Sequence, residues 1–541
     1  MSALNNKAMP EMPPVCIKEI IEQAKDNKKT LYNLLFVNRT WCNIVVPTLW
    51  SNPFDVNEEN SGLVIKTYIS CFNSYEEIHL INHGFELPLQ RIPPLYNYPE
   101  YLQSFDTENF MIAIKLWLKI RRPKRQLSKD NLEKVKFFME MLGNMLFRNS
   151  RGLRNLTISH HHCQDFKCLQ VSFDGLKRGL INLDQFKFDC NHMSIGDCQE
   201  LEVITNIGKN LTLFAHNIQH IYIGNIKSIK ILKAFLQLIR AQSNLTSLEF
   251  ETWEKASLYE AYSIITSQFD TLKYLKLNGI INIYALLSVL KFFTNLESLV
   301  LYNYHEFGNE HLQQMFRERL PIVNLKNLYI LKSNHTTKMC LESLIRSAKF
   351  HNLQSLTLDE VTPRILKIIQ KQFVNLRSLS IFISDSYLSN IMQMIPSLRS
   401  LQKLVLSETR KGRWRSQNLE SLAKTFPTSL INLGLFASIS EYELDTLLKS
   451  LTVEIHELDF FNEEMTSDGV LKVVTKYAEN NRYLKKVGFT VEKGGNMTFS
   501  DFLLNKARKF IGEIKSMENS GKTRNSFRNR QMIVAQDDKC I

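Results

Sequence analysis

From residue 153 onward the chain keeps returning to three apolar positions spaced +3 and +2: LRNLTI at Leu153, LDQFKF at Leu183, IQHIYI at Ile218, LTSLEF at Leu245 and LKYLKL at Leu272. The series continues with LESLVL at Leu296, LKNLYI at Leu325, LQSLTL at Leu353, LRSLSI at Leu376, LQKLVL at Leu401, LINLGL at Leu430, IHELDF at Ile455 and LKKVGF at Leu484. Thirteen copies at intervals of 23 to 35 residues are a repeat array. The last two apolar residues of each copy alternate as in a strand, so they face inward while the residues between them face outward. Between copies the period changes. Leu232, Phe235, Leu236 and Ile239 have the i, i+3, i+4, i+7 spacing of a helix face, as do Leu419, Leu422, Ala423 and Phe426, and Leu444, Leu447, Leu448 and Leu451. One strand and one helix cannot bury both apolar faces alone, whereas stacked units share a continuous core. Strands joined through helices run parallel by right-handed crossovers. The pattern predicts an α/β fold: a solenoid with a curved parallel sheet inside and helices outside.

Residues 12–54 carry a different pattern. Ile17, Ile20, Ile21 and Ala24 share one helical face behind Pro13 and Pro14, which suit a helix start. Asp26 to Lys29 end that helix. Leu31, Leu34 and Leu35 predict a second one, and Val37, Trp41, Ile44 and Val45 a third, with Pro47 as its breaker. Three short helices bury little surface, and Leu49, Trp50 and Phe54 add further apolar area, so the module needs a partner. Ten of the fourteen prolines lie in the first 123 residues, which marks two regimes. In the connecting region 55–150, Tyr75, Ile78 and Leu80 of YEEIHLINH are a candidate divergent first repeat, and the run from Pro88 to Pro99 an ordered surface insertion. The solenoid is expected over 151–490, a C-terminal cap with Phe502, Leu503 and Phe510 over 491–518, and a disordered basic tail over 519–541.

Over roughly residues 150–490 the chain resembles the leucine-rich-repeat family. It departs from that family at the asparagine usually found three residues after the last strand apolar: only Asn191 supplies it, against Trp253, Ile280, Tyr304 or Val361 elsewhere. The N-terminal module resembles the F-box. Pro13 lies 24 residues before Val37, Trp41 follows Val37 by four, and Leu49-Trp50 closes nine residues after Trp41, within VNRTWCNIVVPTLWSNPF. Met12, Val15 and Ala24 stand where that family usually has Leu, Glu and Leu. The resemblance implies docking on the Skp-type adaptor of a cullin-RING ubiquitin ligase, and through it on a cullin. The surface it implies includes Pro13, Ile17, Ile20, Leu31, Leu35, Val37, Leu49 and Trp50, some of which must also hold the module together. The competing reading is a small helical cap whose Trp41 and Trp50 are ordinary core aromatics.

Composition changes this picture little. The net charge of +13 is spread over 67 basic and 54 acidic residues, without one basic stripe. The basic runs at Lys119, Arg121, Arg122, Lys124 and Arg125 and at Lys522, Arg524, Arg528 and Arg530 lack interleaved stacking aromatics, so solvated charge is favoured over nucleic acid or a nuclear signal. Nine cysteines form no C-x-x-C pair, and the N-terminus lacks the apolar core of a signal peptide, which predicts a reducing, cytoplasmic or nuclear compartment. The apolar tract from Ile280 to Phe293 is broken by Asn282 and Lys291 and falls short of a bilayer span, so no membrane is expected. His160, His161, His162, Cys163 and Cys168, with Cys190, His192 and Cys198, invite zinc, but without a C-x2-C or H-x3-H pair a polar turn with buried thiols fits better. Phosphate-cradle, metalloprotease and nucleophile-elbow motifs are absent, so neither catalysis nor a cofactor is expected.

The leading functional reading is a non-catalytic substrate receptor. Its module would bind the adaptor, its strand face would hold a target protein, and other subunits would do the ubiquitin chemistry. On that face Tyr222, Tyr274 and Tyr329, with Lys273 and Lys276 beside Tyr274, are candidate target contacts, set against lateral packing of tyrosines that simply favour strands. A leucine-rich-repeat scaffold or ligand sensor with no ligase link is the alternative, and a nucleic-acid-binding solenoid ranks last.

Overall fold

The computed structural model describes residues 12–54, 58–85, 93–118, 129–159, 177–189, 198–226, 228–252, 258–279, 286, 289–302, 324–331, 342, 345, 352–359, 361–383, 385–408, 416–436, 439–461, 467–491 and 500–518. The chain divides into two compact units, Met1–Ser257 and Leu258–Ile541. The first opens with α1 (Pro14–Ala24), α2 (Lys28–Leu34), α3 (Arg39–Leu49), α4 (Glu58–Ile69) and α5 (Ser74–Asn82). It continues with β1 (Ser104–Asp106), α6 (Thr107–Trp117), α7 (Lys129–Asn149), β2 (Asn155–Ser159), α8 (Lys177–Leu180), β3 (Gln185–Asp189), α9 (Cys198–Phe214), β4 (His220–Ile226), α10 (Ile229–Arg240) and β5 (Ser247–Thr252).

The second unit holds α11 (Leu258–Thr266), β6 (Tyr274–Gly279), β7 (Ser298–Tyr302), β8 (Asn327–Leu331), β9 (Ser355–Leu358), α12 (Pro363–Gln372), β10 (Ser378–Ile383), α13 (Leu388–Met394) and β11 (Lys403–Glu408). It ends with α14 (Ser416–Ala423), β12 (Asn432–Phe436), α15 (Glu441–Ser450), β13 (Glu457–Phe461), α16 (Ser467–Asn480), β14 (Lys486–Val491), α17 (Asp501–Ala507) and β15 (Glu513–Glu518).

Within each unit every strand pairs in parallel with its neighbours in chain order, and the middle apolar residues of the copies are in register. Leu156 lies beside Phe186, Ile221 and Leu248 in the first unit. In the second, Leu275, Leu299, Leu328, Leu356, Leu379, Leu404, Leu433, Leu458, Val487 and Ile514 form one row. The leucine or isoleucine that opens each copy, from Leu153 to Leu484, is at most 1% exposed. Each such burial is worth about 1.5–3 kcal/mol and requires the adjoining units. The fold is an α/β solenoid of the leucine-rich-repeat kind.

A second regularity lies in the backbone. The residue just before most of the strands offers a carbonyl that accepts two N–H groups from the next repeat. Gln103 O receives Arg154 N and Asn155 N, Arg154 O receives Asp184 N and Gln185 N, and Lys273 O receives Glu297 N and Ser298 N, all at 2.8–3.0 Å. The ladder begins upstream of β1: Ser51 O accepts from Gln103 N and Ser104 N at 2.9 and 2.8 Å. Side chains reinforce it. An asparagine directly precedes the opening apolar residue in seven copies, at Asn182, Asn217, Asn244, Asn295, Asn324, Asn352 and Asn375. Asn295 and Asn324 donate to the turn carbonyls of Asp270 and Thr294, one unit back, at 2.6 and 2.8 Å.

Several expectations are corrected. Pro47 does not break the third helix, which runs through it to Leu49; near the end of an 11-residue helix the proline removes only one backbone hydrogen bond. Tyr75, Ile78 and Leu80 lie on α5, not on a strand. Asn73 and Glu76 close a capping box that starts this helix, and Glu76 also pairs with Arg148 at 2.6 Å. The strand that opens the series is β1, and beyond α17 the region expected to cap the array adds a further strand, β15, paired with β14. The zinc candidates His160 to Cys163, Cys168, Cys190 and His192, both basic runs and the tail lie outside the described residues.

Candidate docking surfaces

The three-helix module is built from its caps inward. Asn27 and Asn38 accept the N–H groups of Thr30 and Trp41, both at 3.0 Å, which fixes the starts of α2 and α3. Ile17, Ile21, Leu31 and Val45 form the sealed centre, with Ala24, Leu34, Leu35, Trp41, Ile44 and Leu49 packed around it. Ile17 and Leu31 are therefore core and offer no surface to a partner, while Leu35 and Leu49 are half-buried against that core. Pro13, Ile20 and Val37 are exposed. Sequence reasoning missed Val15, 77% exposed, and the edge-to-face pair Tyr32–Phe36, of which Phe36 is 72% exposed. The available signal was an i, i+4 aromatic pair one position out of phase with Leu31 and Leu35.

Trp50 has another task. Its ring lies 5.2 Å from that of Tyr68 and 4.3 Å from that of Tyr98, and next to it Ser51 carries the first rung of the carbonyl ladder. Phe54 enters the same core against Phe110 and Phe105, and the Tyr96 hydroxyl donates to Asn43 Oδ1 at 2.7 Å. Trp50 thus joins the module to the first repeats while remaining half-buried.

The outward strand faces of the two units differ. In the first unit the face is polar: Asn155, Thr157, Gln185, Lys187, His220, Tyr222, Ser247 and Glu249 are exposed or half-buried. Tyr222 is its centre. Lys187 Nζ stands 5.2 Å from the ring centroid, and Glu249 is its register partner on β5. Burial, then the charges of Glu251, Asp189 and Glu249, and a hydrogen bond to Glu251, raise the Tyr222 phenol far above its ordinary value. The ring lies over Gly224, where a Cβ would stand 2.6 Å from the Tyr222 hydroxyl oxygen.

In the second unit the face is apolar or small, and buried, from β7 to β12, flanked by the half-buried Lys276 on β6 and Asp459 on β13. Val300, Tyr329, Thr357, Ser380, Val405 and Gly434 succeed one another across β7 to β12, all buried. Tyr274, Val300 and Tyr329 form one cluster. Two of the three tyrosines proposed as target contacts, Tyr274 and Tyr329, thus pack laterally, at 8% and 9% exposure. Lys273 is exposed but precedes β6, where its carbonyl serves the ladder, and Lys276 is half-buried on the strand. Among the described residues no group of His, Cys, Asp and Glu could hold a metal ion, and no helix is long and apolar enough to cross a membrane.

No family model and no curated protein matches the chain. Among solved structures, a complex of Rad7 and Elc1 from yeast aligns with 13% identity and TM-score 0.34 over 91% of this chain and 96% of that one. A TLR13–ssRNA13 complex aligns with 16% identity and TM-score 0.35 over 70% of this chain, and the match spans 48% of the TLR13 chain. The leucine-rich repeat-containing protein LegL7 from Legionella pneumophila aligns with 12% identity and TM-score 0.29 over 65% of this chain and 89% of that one.

Proposed function

We propose that the chain is a non-catalytic substrate-recognition subunit of a Skp-cullin-F-box type ubiquitin ligase, whose module binds the adaptor while the solenoid holds a target protein. The observation that carries this reading is the polarity of the module. One side is tied to the repeats through Trp50, Ser51 and Phe54, while Val15, Ile20, Tyr32, Phe36 and Val37 remain exposed, a set of large apolar side chains with no role in the core. The VNRTWCNIVVPTLWSNPF spacing gives that side an occupant, the Skp-type adaptor. The receptor would act by proximity, raising the local concentration of target lysines near a ubiquitin-carrying enzyme, with no covalent step of its own.

The test is co-purification with a Skp-type adaptor. Phe36→Ala combined with Val37→Glu should lower capture by about tenfold or more, since apolar anchors at interface centres often contribute about 2 kcal/mol each, and should leave the melting temperature unchanged. Full capture by the folded double variant would remove the adaptor reading. Leu49→Ala and Trp50→Ala make a poor test, because both side chains serve the module's core and its joint and are expected to cost about 2–4 kcal/mol of stability each.

A further inference from the structure

Alongside the first strands of the first unit runs a groove of about 630 Å³, lined by Glu100, Gln103, Arg151, Arg154, Asn182, Asp184 and Asn217, with Gly152 and Ile181. Gln103, Arg154 and Asp184 are the residues whose carbonyls form the ladder, so their side chains leave the backbone at adjacent rungs. Glu100 is already occupied: it pairs with Arg151 at 2.5 Å and accepts from Asn97 Nδ2 at 2.6 Å. Arg154 and Asp184 are not. Although Asp184 N donates to Arg154 O at 2.8 Å, neither side chain has an ion-pair or hydrogen-bond partner among the described residues. Asn217 Oδ1 accepts from Ser243 Oγ at 3.0 Å and Asn244 Nδ2 at 3.4 Å, which uses its oxygen and leaves its NH₂ to donate.

The groove therefore presents a free guanidinium and a free amide donor beside a free carboxylate, with one exposed apolar side chain, Ile181, on its wall. A simple anion would meet Asp184, and a simple cation would meet Arg154. The ligand that satisfies both carries a carboxylate a few ångströms from an N–H donor, together with an apolar group. We propose that this groove binds the free C-terminal end of a polypeptide. The terminal carboxylate takes Arg154 and the Asn217 amide, the N–H of the last residue donates to Asp184, and the last side chain lies on Ile181. Arg suits this role because its planar fork meets a carboxylate through two parallel hydrogen bonds. The volume suits a few residues of chain. The proposal rests on the receptor reading in one respect, that such an end would belong to the target.

The experiment uses the full chain and an N-terminally fluorescein-labelled pentapeptide of glycine and serine ending in leucine, as the free acid and as the C-terminal amide, with binding read by fluorescence polarisation. The acid should bind about tenfold or more tighter than the amide, the effect of a charge-assisted hydrogen-bonding pair. Arg154→Ala should abolish the preference and Arg154→Lys restore part of it. Asp184→Leu should weaken both peptides, and Arg399→Ala, an exposed arginine in the second unit, should change nothing. Unaltered melting temperatures establish that these variants are folded. Equal affinity for acid and amide, no saturable binding of either, or retention of the preference by Arg154→Ala would overturn the proposal. Free leucine competing as strongly as the peptide would overturn it in favour of a small zwitterion. Adaptor co-purification is a separate readout: its loss with peptide binding intact would remove the ligase reading and leave the groove standing.

Discussion

The same position on the same kind of strand has opposite fates in the two units. Tyr222 in β4 is half-buried in a polar face among Lys187, Asp189, Glu249 and Glu251, whereas Tyr329 in β8 is packed against Val300 and Tyr274 in a covered row. Glycine is used differently as well. At Gly224 the missing Cβ makes room for a tyrosine hydroxyl, while at Gly434 it lets Val405 and Phe436 close to within 3.1 and 3.2 Å of where that atom would be. Alternation along a strand decides which side chains point away from the helices. It does not decide whether the surface they form is open. Of the two faces described, the first unit's is open and polar, and that of β7 to β12 is packed like a core.

This contrast can be tested by matched substitutions. Tyr329→Ala should cost about 3 kcal/mol in denaturant unfolding, because it empties a packed site, while Tyr222→Ala should cost about 1 kcal/mol or less. Equal losses would erase the distinction. A smaller effect is expected from Gly224→Ala, whose new methyl group must push the Tyr222 ring aside and break its bond to Glu251. The cost should be about 1 kcal/mol, and Tyr222→Phe in the same background should recover only part of it, because it removes the hydroxyl oxygen but leaves the ring carbons Cε1 and Cζ, which would stand 2.9 Å from the methyl group.

The subtlest effect concerns alkaline pH. The folded-state phenol is raised above its unfolded value of 10.0, so its stabilising contribution is complete below that pH and is lost as pH climbs through the folded value. Tyr222→Phe should therefore differ from the parent by a constant amount below pH 10.0 and lose less stability above it, as followed by melting temperature against pH. Parallel curves across the whole range would contradict the placement of that hydroxyl.

The repeats were legible because thirteen copies of one spacing fall on thirteen strands, and a two-residue period leaves little freedom in which face is buried. The two end copies escaped notice for a definable reason. Leu102, Phe105 and Thr107 keep the +3, +2 spacing, as do Ile511, Ile514 and Ser516, but a hydroxyl residue stands at the third place. Thr107 is buried there because its Oγ1 bonds to the backbone N–H and carbonyl of Ser159 at 3.1 and 3.2 Å. An apolar filter discards such positions although the fold accepts them. Tyr274 and Tyr329 were less legible for the opposite reason: their spacing was read correctly, but their burial depends on contacts far away in sequence, with Val300 and with each other. In the module, the apolar pattern located the core, and it could not say which of those same residues were left over for a partner.

The rung at Ser51 has a mechanical meaning. Because its carbonyl is held by two N–H groups of the following repeat, and Trp50 and Phe54 are wedged into the adjoining aromatic cluster, the N-terminal helices are clamped to the first strand as a handle is clamped to a blade. A push on the exposed helical side is then transmitted as a rotation of the first strands instead of being absorbed by a swivel. A partner bound to the first strands would be held at a fixed angle to one bound to the N-terminal helices.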